Sequence, residues 1–125
     1  KIKLLSSTLD DLSEGRSFYE KQGEGLGDYF FDSLFSDIDS LTLYGGIHPK
    51  FFSYHRMLSK RFPYAIYYKL EEGSVVVVWR VLDLRRDPKK ITQSLSRGEQ
   101  QHEHGLVKAA LLRYTAFTVG YAGYT

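Results

Sequence analysis

Between positions 60 and 90 the sequence gathers Lys60, Arg61, Arg80, Arg85, Arg86, Lys89 and Lys90. Ammonium and guanidinium groups at this density can bind phosphates or carboxylates, the guanidinium in a bidentate fork. The competing reading pairs Arg86 with Asp87 inside the fold and leaves the lysines as a solvated face. The charge is unevenly spread along the chain. Residues 1–47 carry four basic against nine acidic groups, and residues 48–97 carry eleven basic against four acidic. An acidic part joined to a basic one implies either a face that meets a polyanion or acidic partner, or two halves that complement each other within the fold.

Other residue types offer less chemistry. The sequence holds no cysteine, which excludes a disulfide framework, a thiolate nucleophile and Cys-based zinc or iron–sulfur sites. His102 and His104 are metal-capable but have no evident third ligand, so they read as an incidental pair, and neither metal nor cofactor is expected. Ser6 and Ser7 have no obvious histidine partner. Asp10 with Asp11, and Asp37 with Asp39, read as helix-surface charge rather than as paired catalytic carboxylates. Tyr64, Tyr67 and Tyr68 could stack bases, yet alternating tyrosines in a strand read better as half-buried core. Gly23, Gly25 and Gly27 follow a helix rather than a strand, which suits a turn and not a phosphate loop.

Local pattern supplies the elements that must position these groups. Residues 2–5 form a short apolar run. Ser7 with Asp10, or Thr8 with Asp11, resembles a capping box, and Leu9, Leu12, Arg16 and Tyr19 recur at helical spacing, predicting a helix over 8–21. Leu26, Phe30, Leu34, Ile38 and Leu41 make a second amphipathic stripe, with Asp28, Asp32, Asp37 and Asp39 off it, and Tyr44-Gly45-Gly46 ends that helix. Strands are expected over 54–59, 64–70 and 75–84, separated by Lys60-Arg61-Phe62-Pro63 and by Glu71-Glu72-Gly73-Ser74. The last is apolar at nearly every position, so it belongs in the middle of a sheet covered on both faces, with Trp79 packing the helical hairpin. Pro88 can begin a short helix to about residue 95.

These elements describe an α+β fold, a helical hairpin packed on a small mainly antiparallel sheet in the order β-α-α-β-β-β-α. One domain over 1–96 is followed by a C-terminal extension over 97–125. In the extension, 106–113 suits a short helix and 114–124 a strand, and it is expected to pack on its own domain or on a second copy as a homodimer contact. The longest apolar run, 75–79, is far short of the roughly 20 residues of a membrane helix. No signal-peptide pattern opens the sequence, so a cytoplasmic location without membrane attachment is expected.

Several blocks carry a family resemblance. They are Lys60-Arg61-Phe62-Pro63-Tyr64-Ala65-Ile66-Tyr67-Tyr68 and Val81-Leu82-Asp83-Leu84-Arg85-Arg86-Asp87-Pro88, with Leu9-Asp10-Asp11-Leu12, Tyr19-Glu20 and Gly25-Leu26-Gly27-Asp28-Tyr29-Phe30 upstream. Over residues 2–95 the chain resembles the RelE/ParE superfamily of bacterial type II toxin–antitoxin toxins, and within it the ParE, or plasmid-stabilisation, branch. From Arg97 onward it has no counterpart in that pattern. The resemblance implies a toxin neutralised by a cognate antitoxin. ParE-like members are associated with inhibition of DNA gyrase, and RelE-like members cleave messenger RNA on the ribosome. One fold thus hosts two mechanisms.

Metal-free RNA cleavage needs a group to activate the ribose hydroxyl, cations for the pentacoordinate phosphate and a proton donor. Arg85 matches one family arginine, and Lys60 and Arg61 would be the accompanying cations. Ala65 stands where the family's middle-strand arginine is expected, and Ile91 falls near the C-terminal aromatic position. The resemblance therefore implies gyrase binding first, with Lys60, Arg61, Arg80, Arg85, Arg86, Lys89 and Lys90 meeting target or antitoxin. A ribosome-dependent endoribonuclease is the alternative, and a non-toxic stand-alone interaction module is the third reading.

Overall fold

The computed structural model describes residues 1–98. The expected tail elements over 106–113 and 114–124, their packing, and the His102/His104 pair lie outside the described residues. Within them the fold is α+β. A five-stranded sheet comprises β1 (Ile2–Leu4), β2 (Lys50–Phe51), β3 (Tyr54–Leu58), β4 (Tyr64–Glu71) and β5 (Val75–Asp83). The helices are α1 (Ser6–Glu20), α2 (Leu26–Asp39), the single turn α3 (Leu41–Tyr44) and α4 (Pro88–Gly98). The spatial strand order is β1-β5-β4-β3-β2. Only β1 runs parallel to its neighbour. None of the described helices is long and apolar enough to cross a membrane.

β5 occupies an interior position and is covered on both faces, as its apolar run predicts. Val76, Val78 and Val81 join Ile66, Tyr68 and Met57 beneath Leu12, Phe30, Leu34 and Ile38 of the hairpin. On the opposite face Val77, Trp79 and Leu82 pack with Tyr54, Ala65 and Tyr67 beneath Ile91 and Leu95 of α4. Trp79 is thus on the α4 side, not under the hairpin as the sequence suggested. Its ring meets Tyr54 edge-on at 5.9 Å. The Tyr54 hydroxyl donates to the Leu95 carbonyl at 2.9 Å, fastening α4 to the sheet.

A β-bulge explains the sides that Val81 and Leu82 take. Tyr67 pairs with Arg80 and Tyr68 with Val78, so Trp79 is the extra residue on β5. A bulge of this kind shifts the alternation of the strand beyond it. The ladder to β1 ends with Leu5 N–H on the Val78 carbonyl. Past that point the side chains of α1 take over: Thr8 Oγ1 donates to Val78 O and Ser7 Oγ to Trp79 O, both at 2.9 Å. Asp11 Oδ2 accepts Val81 N–H at 3.0 Å. Of the residues expected as a capping box, Ser7, Thr8 and Asp11 are spent on the sheet instead. The helix accordingly starts two residues earlier, after an extended Leu5 that provides no side-chain cap.

The glycine turn between α1 and α2 is found where expected. Gly25 has φ 84°, a left-handed conformation that costs glycine little. The Glu20 carboxylate accepts Gly25 N–H and Gly27 N–H at 3.2 and 3.0 Å, satisfying donors at the start of α2. Arg16 bridges to Asp28 across the hairpin. The second helix stops at Asp39 and α3 adds one turn before Gly45. Its Asp37 is buried rather than a surface charge, and accepts the Ser59 hydroxyl at 2.7 Å and Lys60 N–H at 3.3 Å. The two-residue strand β2 was invisible to pattern reading because two residues show no period.

Close packing of the hairpin rests on Gly15, where an added Cβ would lie 2.5 Å from Phe30 Cζ. Phe30 is fully buried and cannot swing away. Gly15→Ala is therefore expected to lower unfolding free energy by about 1–3 kcal/mol through overpacking, measured as a reduced urea midpoint. An unchanged midpoint would mean the helices separate at no cost.

Candidate functional site

The sequence-selected cations converge on the end of the sheet where β4 begins and β5 ends. Two connections meet there: Pro63 O in the β3–β4 turn accepts Leu84 N–H at 2.8 Å. Phe62 of that turn packs edge-on against Tyr19 of α1 at 4.9 Å, and the Arg85 guanidinium lies 5.9 Å from the same tyrosine ring. Lys60 and Arg61 occupy the turn, Arg85 and Arg86 follow β5, and Lys89 and Lys90 lie in the first turn of α4. The α4 terminus is capped by Asp87, whose Oδ1 accepts Lys89 N–H at 2.9 Å.

Electrostatics divides these cations into two sets. Arg80 is held bidentately by Asp11, with Nε and Nη2 at 2.7 and 2.8 Å from the two carboxylate oxygens. Its side chain is 16% exposed and that of Asp11 7%, so the pair is a structural clamp between α1 and β5. Burial is the largest influence on the Asp11 carboxyl and raises its pKa, against the opposing pull of Arg80 and the Val81 amide. The hydrogen bonds that Arg80 donates to Asp11 raise the pKa of Arg80.

Arg85 is also engaged. Its Nη2 and Nε reach the two Asp83 oxygens at 2.8 and 2.9 Å, and Nη2 donates to the Tyr19 hydroxyl at 3.2 Å. Partial burial pushes Asp83 upward, but the side-chain and backbone hydrogen bonds of Arg85 outweigh it and leave the carboxyl below its usual range. Arg86 approaches Glu14 at 3.8 Å, and not Asp87 as the sequence suggested. Lys60, Arg61, Lys89 and Lys90 are exposed, and no ion pair engages them among the described residues.

Beside the clamp lies an open cavity of about 110 Å³ whose wall includes Asp11, Glu14, Phe18, Tyr64, Asp83 and Arg86. Three carboxylates make it a poor receptor for a phosphate. Burial, then the charge of Asp83, pushes the Tyr64 hydroxyl up to about 12. It therefore remains protonated at neutral pH and is no ready general base. Arg85 could still face an anion from its exposed side, since half of its side chain is accessible. The arrangement is suited to anion contact across an open surface more than to bond cleavage inside a pocket.

Sequence reasoning found the cations but missed the carboxylates that govern them. Asp11 and Asp37 carry no local sign of burial, because their partners, in β5 and in the turn after β3, lie more than 20 positions away. It also missed a cluster at the other end of the sheet, made by His48, His55 and Tyr68. The clamp makes a direct prediction. Asp11→Ala leaves the Arg80 guanidinium and Val81 N–H without their acceptor, and should cost about 3–5 kcal/mol in chemical denaturation. A loss below about 1 kcal/mol, the level of an exposed pair, would show that the two groups find other partners. No protein-family model matches the chain, and no curated protein matches it.

Proposed function

We propose that this chain is a ParE-like toxin of a type II toxin–antitoxin pair that acts by binding DNA gyrase and is held inactive by a cognate antitoxin. One observation carries the reading: Lys60, Arg61, Lys89 and Lys90 are exposed and uncommitted at one end of the sheet, while Arg80 and Arg85 are tied to carboxylates. Exposed cations on a rigid support favour recognition of an anionic surface, because their charge acts before contact and guides association. The helical hairpin over the sheet agrees with the fold that the sequence resemblance implies. A cytoplasmic site of action follows from the same reading.

Ribosome-dependent cleavage of messenger RNA is the competing proposal, favoured by the half-exposed Arg85 guanidinium. Its weakness is the want of an evident general base beside that arginine among the described residues, since Tyr64 is held protonated and Asp83 is occupied.

The two readings separate in one pair of assays. Purified full-length protein in excess should inhibit supercoiling by gyrase, and the variant Lys60→Glu/Arg61→Glu/Lys89→Glu/Lys90→Glu should need about tenfold more protein for the same inhibition. Circular dichroism would confirm that the variant is folded. Undisturbed supercoiling at excess protein would reject gyrase as the target. Cleavage of ribosome-bound message that disappears in Arg85→Ala would establish the nuclease in its place.

A further inference from the structure

The connection from α3 to β2, residues 45–49, crosses the end of the sheet opposite the cationic corner. Several hydrogen bonds hold it down. Gly46 N–H donates to the Tyr68 hydroxyl oxygen at 2.9 Å, and that oxygen also lies in hydrogen-bond contact with His48 Nδ1. His55 Nδ1 reaches the His48 carbonyl at 2.8 Å, and Pro49 O accepts Arg56 N–H at 2.9 Å. Tyr68 is fully buried, its ring stacked on His55 at 5.1 Å and met edge-on by His48 at 5.6 Å. The segment follows the exposed Leu43 and Tyr44 and carries the exposed Ile47 itself.

Proton inventory fixes the roles. A carbonyl only accepts, so His55 Nδ1 carries the hydrogen. The Tyr68 oxygen already accepts from the Gly46 and His48 backbone amides, and its one proton has His48 Nδ1 as acceptor, which requires that nitrogen to be unprotonated. Protonating it would turn the acceptor into a donor. The Tyr68 oxygen, already bonded by the Gly46 and His48 backbone amides, would then face a third donor while its own proton lost its partner in a buried place, which is costly.

We propose that the His48–Tyr68–His55 cluster is an acid-sensitive latch that holds residues 45–49 against the sheet and releases them when His48 takes up a proton. The inference is independent of the toxin reading. The charge that bears on His48 is that of His55, which adds to its own rather than offsetting it. His55 faces it from β3, and Lys50 of β2 is paired with His55. Arg56 of β3 lies over Phe51. On β4, Lys69 lies over Tyr54 and Trp79, while Glu71 is exposed at the strand end. Asp37 of α2 is occupied by Ser59 and Lys60, and Asp39 is exposed.

Burial, and after it the charge of His55, lowers the His48 pKa from 6.5. A depressed histidine binds fewer protons folded than unfolded. Its contribution to stability is therefore complete above the unfolded value of 6.5 and is lost as pH falls through the lower folded value.

The test is amide exchange of the full-length protein at about pH 7.5 and about pH 5, corrected for intrinsic rates and referenced to Val77 in β5. In the wild type, Gly46 should lose about tenfold of its protection at the lower pH while Val77 keeps its own, the scale of one net hydrogen bond. His48→Asn, which keeps an acceptor near Nδ1 but does not titrate, should protect Gly46 equally at both values. Tyr68→Phe, which removes the shared oxygen while retaining the ring, should leave Gly46 unprotected at both. Equal wild-type protection at the two values would overturn the latch. The same acid-induced loss in His48→Asn, or full Gly46 protection in Tyr68→Phe, would overturn it as well.

Discussion

β5 is nine residues long, whereas β1 covers only three of them. The remaining stretch of that strand would face α1 with backbone groups unpaired, a costly condition in a protein interior. The structure resolves it with side chains. Thr8, Ser7 and Asp11 extend the ladder where β1 stops, and the bulge at Trp79 turns the Trp79 carbonyl and the Val81 amide toward them. Arg80 then completes the second oxygen of Asp11. The seat of α1, and with it the hairpin and the position of Tyr19, depends on this substitution.

That seat also sorts the charges. The acidic first part and basic second part of the chain partly neutralise one another within the fold, through Asp11 with Arg80 and Glu14 near Arg86. Asp83 neutralises Arg85 within the basic part itself. The reading of complementary halves thus holds for Asp11 with Arg80 and Glu14 with Arg86. Arg80 and Arg85 are internal or local partners, while Lys60, Arg61, Lys89 and Lys90 remain available to something outside. Four exposed cations make a long-range field that salt weakens, a property of recognition surfaces more than of catalytic ones.

The two ends of the sheet differ in kind. At the β4-start end, guanidinium groups and aromatic rings are packed together around Tyr19, with Phe18, Phe30 and Phe62 against it. The other end places two imidazoles on one tyrosine, where a single proton decides which atom donates. A rigid corner and a titratable one are joined by the same strands, β3 and β4, through paired residues from His55 to Leu58. The central strands provide the stiffness that lets each end keep its own chemistry.

Element order and type were legible because they are local properties. Apolar spacing marked α1 and α2, glycine at positive φ marked the turn before α2, and β-branched and aromatic runs bounded by Pro63 and Gly73 marked β4 and β5. The cationic residues of the candidate site could be named from type alone. Which of them are free could not, since the deciding contacts join Asp11 to Arg80 and Val81 across about 70 positions of chain. The bulge is likewise a relation between two strands: it carries Val81 to the hairpin face and Leu82 to the α4 face, while Trp79 stays on the α4 face with Val77. Local sequence sets which backbone shapes are cheap; register and burial arise only when distant segments meet, and these determine which charges remain for function.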